Sequence, residues 1–242
     1  SITERAKLFV RMRNQDAARA DFAKAIKLNP ALGHRARGVA RAECRNHFGA
    51  IEDYTASIKF NPTVAELYSK RGTAKFASRD VKGAIADFNK ALQIEPSNIN
   101  ALARRADAKV RLRDKQGALN DYDKVITLQP KNPISSVGRA IARAEFDDRP
   151  GALADFDKSL KLDDNSSAYL CRADYKGQWG DLAGAIADYT EVLKFRPKEA
   201  STYQHRGELR LRTGDLAGAQ ADFLKAAEFV IHDKVVSPPV VF

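Results

Sequence analysis

The residues that usually perform chemistry in proteins are few in this sequence of 242 residues, and they lie far apart along it. The histidines and cysteines do not show the spacing of metal ligands; they are His34, His47, His205, His232, Cys44 and Cys171. The sequence has no phosphate-binding loop, dinucleotide-binding fingerprint, HExxH motif or GxSxG motif. We therefore expect a protein that is not an enzyme and that needs neither a metal nor a cofactor.

Charged residues, in contrast, recur at regular intervals. An arginine column comprises Arg5, Arg37, Arg71, Arg105, Arg139, Arg172 and Arg206. An aspartate column comprises Asp21, Asp53, Asp87, Asp121, Asp155, Asp188 and Asp222. Since each aspartate directly precedes an aromatic residue of the expected core, we predict bidentate Arg–Asp pairs between packed helices. The alternative is an arginine stripe that binds phosphate.

A second basic column follows the arginine column by four residues. Its members are Arg41, Lys75, Lys109, Arg143, Lys176 and Arg210. Long basic side chains often lie along a helix surface with their charge in water. We interpret this column as a solvated stripe, with ligand binding as the alternative.

Apolar columns with the same period indicate the elements that carry these charges. An aromatic residue recurs as Phe22, Tyr54, Phe88, Tyr122, Phe156, Tyr189 and Phe223. A small residue precedes each ring by four positions, as Ala84 precedes Phe88, and another small or branched residue follows it by three. Spacings of three and four place all three columns on one face of a helix.

A start signal precedes each of these helices, and a proline follows most of them. Asparagine or aspartate occurs at Asn14, Asn46, Asp80, Asp114, Asp148, Asp181 and Asp215, where its side chain can cap a helix. A proline, expected to stop the helix, follows at Pro30, Pro62, Pro96, Pro130 and Pro197. The helix before each of these capped helices carries a further column of small residues. Each repeating unit is therefore predicted to consist of a helix, a turn and a second helix.

These units resemble tetratricopeptide repeats, for example RGTAKFASRDVKGAIADFNKALQIEP and RADYKGQWGDLAGAIADYTEVLKFRP. The resemblance implies an all-α fold, an α–α superhelix or solenoid of seven helical hairpins. The repeats are expected at about 1–30, 31–64, 65–98, 99–132, 133–165, 166–199 and 200–231. Residues 232–242, rich in valine and proline, are expected to form an extended C-terminal tail. The chain departs from the family pattern because arginine and lysine occupy first-helix positions where leucine and tyrosine are usual.

The resemblance also implies that the first helices line a concave groove that binds an extended peptide or a partner helix. It assigns to this groove Arg104, Asp107, Arg111, Ile134, Val137, Ile141, Leu170 and Asp174. An apolar strip flanked by charges of both signs would hold a partner side chain and fix its register. The alternative is that the apolar strip belongs to the core between repeats.

Some members of the family hold a C-terminal carboxylate of a chaperone between lysine, arginine and asparagine side chains. The corresponding positions here offer Arg35, Lys70 and Arg104 without the asparagine pair. We therefore do not expect this kind of ligand.

Charge and hydropathy narrow the class of partner. Lysine and arginine number 41 against 31 aspartates and glutamates, a net charge of +10 that favours an acidic partner. The sequence shows neither a signal peptide nor an apolar run of the roughly 18 residues that span a bilayer. We predict a cytoplasmic scaffold that binds a protein or peptide, with binding of nucleic acid or another polyanion as the alternative. Self-association through uncapped ends or the tail is also open.

Overall fold

The computed structural model describes residues 1–12, 14–163 and 165–236. These residues form fourteen α-helices and no β-strand. The helices are α1 (Ile2–Arg11), α2 (Gln15–Leu28), α3 (Pro30–Glu43), α4 (His47–Phe60), α5 (Ala65–Ala77), α6 (Val81–Ile94), α7 (Ile99–Arg111), α8 (Lys115–Leu128), α9 (Pro133–Glu145), α10 (Arg149–Leu162), α11 (Ser166–Gln178), α12 (Leu182–Phe195), α13 (Ala200–Arg212) and α14 (Leu216–Val236). Consecutive pairs form seven hairpins, as predicted.

The hairpins group into two compact units. Unit 1 spans Ser1–Leu128 and holds the hairpins from α1 to α8; unit 2 begins at Gln129 and holds those from α9 to α14. Within each unit the two helices of a hairpin pack together, and the second helix also packs on the first helix of the next hairpin. A hairpin alone would leave one apolar face in water, so its neighbour in the stack covers that face.

One residue in each turn ends the first helix and begins the second. In the second hairpin the backbone N–H of Asn46 donates to Arg41 O over 2.8 Å, which closes α3. The Asn46 side chain then accepts a hydrogen bond from Gly49 N over 3.0 Å, which caps α4. The predicted caps are confirmed in every hairpin, at Asn14, Asn46, Asp80, Asp114, Asp148, Asp181 and Asp215.

The predicted small and aromatic columns form the core. Ala84 and Phe88 are fully buried on α6, and Ala152 and Phe156 are fully buried on α10. The first helix must approach these rings closely, and a Cβ at Gly72 would lie 2.7 Å from the Phe88 ring. Small residues on the first helix therefore let the two helices pack around a ring.

Two details at helix ends differ from the sequence-based expectation. Pro30 is the first residue of α3 rather than the end of α2, because proline fits the first turn of a helix, where its missing N–H is not needed. Ile231 occupies the position where earlier repeats have proline, and α14 continues to Val236. The extended tail expected from residue 232 therefore does not begin there, and residues 237–242 lie outside the described part of the chain.

Candidate functional site

The arginine and aspartate columns form paired salt bridges in every hairpin. In the third, Arg71 donates from Nε to Asp87 over 2.8 Å and from Nη2 over 2.6 Å. The other six pairs have the same two-pronged geometry. The aspartates are buried, and the prediction of bidentate pairs is confirmed.

The side chains of the second basic column pair with the same carboxylates. The interpretation of this column as a solvated stripe was therefore wrong. Lys75 Nζ lies 2.9 Å from Asp87, and Lys109 Nζ lies 2.8 Å from Asp121. Arg41, Arg143, Lys176 and Arg210 make the corresponding ion pairs. In the first repeat Phe9 takes this position, and Asp21 is held by Arg5, whose hydrogen bond lowers the pKa of that carboxyl.

The same arginines also join one repeat to the one before it. Arg71 Nη1 donates to Thr55 Oγ1 over 3.1 Å, and Arg105 Nη1 donates to Asn89 Oδ1 over 2.7 Å. Arg206 makes an equivalent bond in unit 2. Because these guanidinium groups already have partners on two helices, the arginine column stabilises the repeat stack rather than presenting a stripe for phosphate.

A groove opens in unit 1 on the face formed by α3, α5 and α7. It encloses about 460 Å³ and is lined mainly by residues of these three first helices. Its polar lining carries both signs of charge and several neutral groups: Glu43, His47, Tyr54, Glu66, Ser69, Lys70, Thr73, Asn98, Asn100 and Arg104. Of the candidate residues assigned from sequence, Arg104 is the one that lines this groove.

One ion pair beside the groove joins the first helices of two neighbouring hairpins, α3 and α5. Arg35 Nη2 lies 2.5 Å from Glu66 Oε2, and Lys70 Nζ lies 3.5 Å from the other oxygen of the same carboxylate. On α7, Arg104 Nη1 lies 3.3 Å from Asp107 Oδ2. Burial raises the pKa of Tyr54 to about 12, with a further contribution from Glu66. Lys70 and Arg104 therefore line the groove as partly exposed cations, each with a carboxylate partner.

Two candidate carboxylates also have a structural role. The hydroxyl of buried Tyr122 donates to Asp107, and that of Tyr189 donates to Asp174. Burial, followed by the neighbouring carboxylate, raises the pKa of both tyrosines. Sequence reasoning missed these bonds, although aspartate precedes the ring by fifteen residues at two of the three tyrosines of the aromatic column.

The apolar strip on α9 is divided between surface and core. Ile134 is 75% exposed, whereas Val137 and Ile141 are half-buried against the cluster that contains Phe156. On α11, Leu170 is half-buried against a separate cluster. Val137 and Ile141 thus contribute to the core, as in the alternative interpretation, whereas the assignment of this strip to a ligand groove stays a prediction.

Arg111, the remaining candidate, is exposed at the end of α7. Its guanidinium lies 6.0 Å from the centre of the Phe76 ring, within the range of a cation–π contact. The eight candidates therefore fall into two sets, three in unit 1 and five in unit 2.

The described residues hold no group of three or more histidine, cysteine, aspartate or glutamate side chains arranged to bind a metal. Likewise, none of the described helices combines the length and apolar character that crossing a membrane requires. Cys44 is exposed and Cys171 is half-buried, with burial raising the pKa of the Cys171 thiol.

The last hairpin exposes a face that earlier hairpins cover. Phe223 is 37% exposed, whereas Phe156 and Phe88 at equivalent positions are fully buried. Leu216 and Leu224 on the same helix are each 65% exposed. Self-association through this end stays a prediction.

Stacked helical hairpins with a polar groove on their first helices define a helical-repeat protein. The sequence pattern of the tetratricopeptide repeat matches residues 1–32, 65–98 and 103–167. The chain belongs to the tetratricopeptide repeat family, whose usual role is protein interaction.

Solved structures agree with this fold. A tetratricopeptide repeat protein from Parabacteroides merdae ATCC 43184 is 22% identical with a TM-score of 0.75, and the match covers 94% of this chain and 91% of that one. A thermophilic repeat protein of Thermus thermophilus is 18% identical with a TM-score of 0.64, covering 75% and 99%. The Cut9–Hcn1 hetero-tetramer of the APC/C contains a chain that is 11% identical with a TM-score of 0.68, covering 86% and 42%. At these identities the likeness establishes the fold alone, and no curated protein sequence matches.

Proposed function

We propose that this protein is a non-enzymatic scaffold that binds an extended segment of a partner protein in the groove of unit 1. The observation that carries the proposal is the groove itself, about 460 Å³ in volume and lined by three successive first helices. A groove that crosses several repeats offers a row of contacts to a chain in extended conformation. The neighbour Cut9–Hcn1, a hetero-tetramer, supports a protein as the class of partner.

The groove lining suits a peptide better than a nucleic acid. A peptide backbone presents both donors and acceptors, and its side chains can carry either charge. Lys70 and Arg104 would bind carboxylates or carbonyl oxygens, and exposed Asn100 would bind main-chain amides. Glu43 and Glu66 line the same groove and would repel a phosphate backbone.

We propose a second contact in unit 2, at the exposed part of the α9 strip. Ile134 presents most of its side chain to water beside half-buried Val137, so an apolar ligand residue would gain burial there. Leu170 and Asp174 on α11 would extend this contact. The two free cysteines are consistent with a reducing compartment such as the cytoplasm.

The test begins with a random peptide library displayed on phage and selected against the full chain. The affinity of a selected peptide is then measured by fluorescence polarisation for the wild type and for Lys70→Glu/Arg104→Glu. The matched control is Lys90→Glu/Lys124→Glu, which changes the net charge equally through exposed lysines of the second helices α6 and α8.

We expect the groove variant to bind at least about tenfold more weakly, because reversing two contacting charges turns attraction into repulsion. The affinity of the control should stay within about threefold of the wild type, because salt screens the interaction of the ligand with exposed charges far from the site. Equal losses in both variants, or a selection that enriches no peptide, would contradict the proposal.

A further inference from the structure

The positive charge of the protein is concentrated in unit 1. Residues 1–128 contain 25 lysines and arginines against 14 aspartates and glutamates, whereas residues 129–242 contain 16 against 17. The whole excess of basic over acidic residues therefore lies in the first four hairpins. The salt-bridge columns do not account for this asymmetry, because they recur in both units.

Three of the basic residues in unit 1 occupy an unusual backbone position. Arg45, Arg79 and Arg113 have φ angles of 59°, 69° and 61°, in the left-handed region that favours glycine. Each lies in the turn between the two helices of its hairpin, directly before the capping residue. The equivalent residues of unit 2 are Asp147, Gly180 and Gly214.

The backbone of the turn does not require arginine there. Asp181 N donates to Lys176 O over 2.9 Å in a turn with glycine, and Asp80 N donates to Lys75 O over 2.9 Å in a turn with Arg79. Because both turns close with the same hydrogen bond, arginine adds backbone strain without adding to the closure. The three arginines are exposed, so each adds positive charge to the surface.

Stacking brings the three turns to one edge of unit 1. Successive hairpins pack side by side, so equivalent turns lie about 10 Å apart, the usual spacing of packed helices. Exposed Lys82 and Lys115 follow the second and third arginine within three residues and add to this edge. Within the described residues, neither Arg45 nor Arg79 pairs with a carboxylate. We call Arg45, Arg79 and Arg113 the turn-arginine row.

We infer that the turn-arginine row docks an acidic segment of a protein, at a surface separate from the groove. A segment in extended conformation advances roughly 10 Å in three residues, so its carboxylates can follow the spacing of the row. The capping residues Asp80 and Asp114 directly follow Arg79 and Arg113, and their carboxylates accept hydrogen bonds from Gly83 N and Gly117 N. A peptide can offer N–H donors to these carboxylates, whereas a nucleic acid backbone offers phosphates alone at this spacing.

The experiment uses the full chain and two fluorescent probes of equal length, a peptide of repeated Glu–Ser–Ser triplets and single-stranded oligothymidylate. The row variant is Arg45→Gly/Arg79→Gly/Arg113→Gly, in which glycine suits the backbone, so folding is retained. The control is Lys59→Gln/Lys90→Gln/Lys124→Gln, which removes three exposed charges from the second helices of unit 1. Affinity is measured by fluorescence polarisation over a series of salt concentrations.

The row variant should lose about tenfold in affinity for the acidic peptide, as expected for three surface ion pairs worth about a factor of two each. The control should lose less than about threefold, and the groove variant Lys70→Glu/Arg104→Glu should lose less than the row variant. A smaller loss in the groove variant than in the row variant would show that the acidic peptide binds at the row. That result does not depend on whether the groove binds a peptide.

Three results would overturn the inference. Equal losses in the row and control variants would mean that the peptide responds to net charge alone. Tighter binding of oligothymidylate, lost in the row variant, would assign the edge to nucleic acid. A wild type that binds neither probe at low salt would leave the row without a docking role.

Discussion

Replacing Asp121 by alanine should destabilise unit 1 strongly. Asp121 is 2% exposed and accepts hydrogen bonds from Arg105 Nε at 2.8 Å, Arg105 Nη2 at 2.6 Å and Lys109 Nζ at 2.8 Å. Its removal leaves two cations on α7 facing each other without their shared carboxylate. The side chains of Arg105 and Lys109 are 16% and 19% exposed, so water reaches them only in part.

The expected size follows from this geometry. Removing one partner of a buried ion pair typically costs about 3–5 kcal/mol, because the remaining charge stays buried and unpaired. Partial access of water to both cations places the Asp121→Ala loss near the lower end, about 3 kcal/mol. Asp121→Asn keeps the shape and some hydrogen bonds, so its loss should be about half as large. The loss is a large fraction of the roughly 5–15 kcal/mol that stabilises a typical domain.

Urea unfolding followed by circular dichroism measures this loss in the full chain. The matched control is Asp21→Ala, because Asp21 pairs with Arg5, an exposed arginine, and the first repeat has Phe9 in place of the second cation. The control should lose clearly less stability than Asp121→Ala. An equal loss in the two variants, or a negligible loss for Asp121→Ala, would refute the claim that the three-residue networks hold the stack together.

Local geometry leads to further predictions at single residues. Gly72→Val should cost about 1–3 kcal/mol in urea unfolding, because even its Cβ would lie 2.7 Å from a core ring. Gly177→Ala, whose Cβ meets its nearest neighbour at 3.7 Å, should instead stabilise by about 0.5–1 kcal/mol, and the opposite order would contradict the packing described. Arg79→Gly should raise the melting temperature by relieving about 1 kcal/mol of left-handed strain, and a lower value would show that the arginine stabilises its turn. Folding raises the pKa of Tyr54 from 10.0 to about 12. Between these two pH values Tyr54 keeps its proton in the folded state and loses it in the unfolded state, so the free energy of unfolding should fall as pH rises from 10.0 to about 12. Tyr54→Phe should show a smaller fall, and identical pH profiles would refute the assignment.

Much of the fold could be predicted because its determinants are local. The spacing from Ala84 to Phe88 fixes one face of a helix, and Asp80 before them marks where that helix begins. The Arg71–Asp87 pair could also be predicted, since both residues recur in every repeat and the aspartate adjoins a core ring. Repetition of the same signals removed the ambiguity that a single repeat would have left.

Contacts that depend on the angle between helices were harder to predict. Whether Lys75 points to water or to Asp87 depends on how closely α5 approaches α6, which periodicity does not specify. For the same reason the α9 strip, assigned to the groove as a whole, proved exposed at Ile134 and half-buried at Ile141. A groove lined by both signs of charge places few demands on the sequence of a ligand, so residue spacing alone does not predict one.

Mapping a bound peptide on the surface of the protein tests the groove most directly. The peptide selected from the library is titrated into the isotope-labelled full chain, and backbone amide shifts are followed by NMR. The proposed function predicts that the largest shifts fall on α3, α5 and α7, around Lys70, Thr73 and Asn100. Shifts confined to the second helices α4, α6 and α8, with the first helices unchanged, would contradict it.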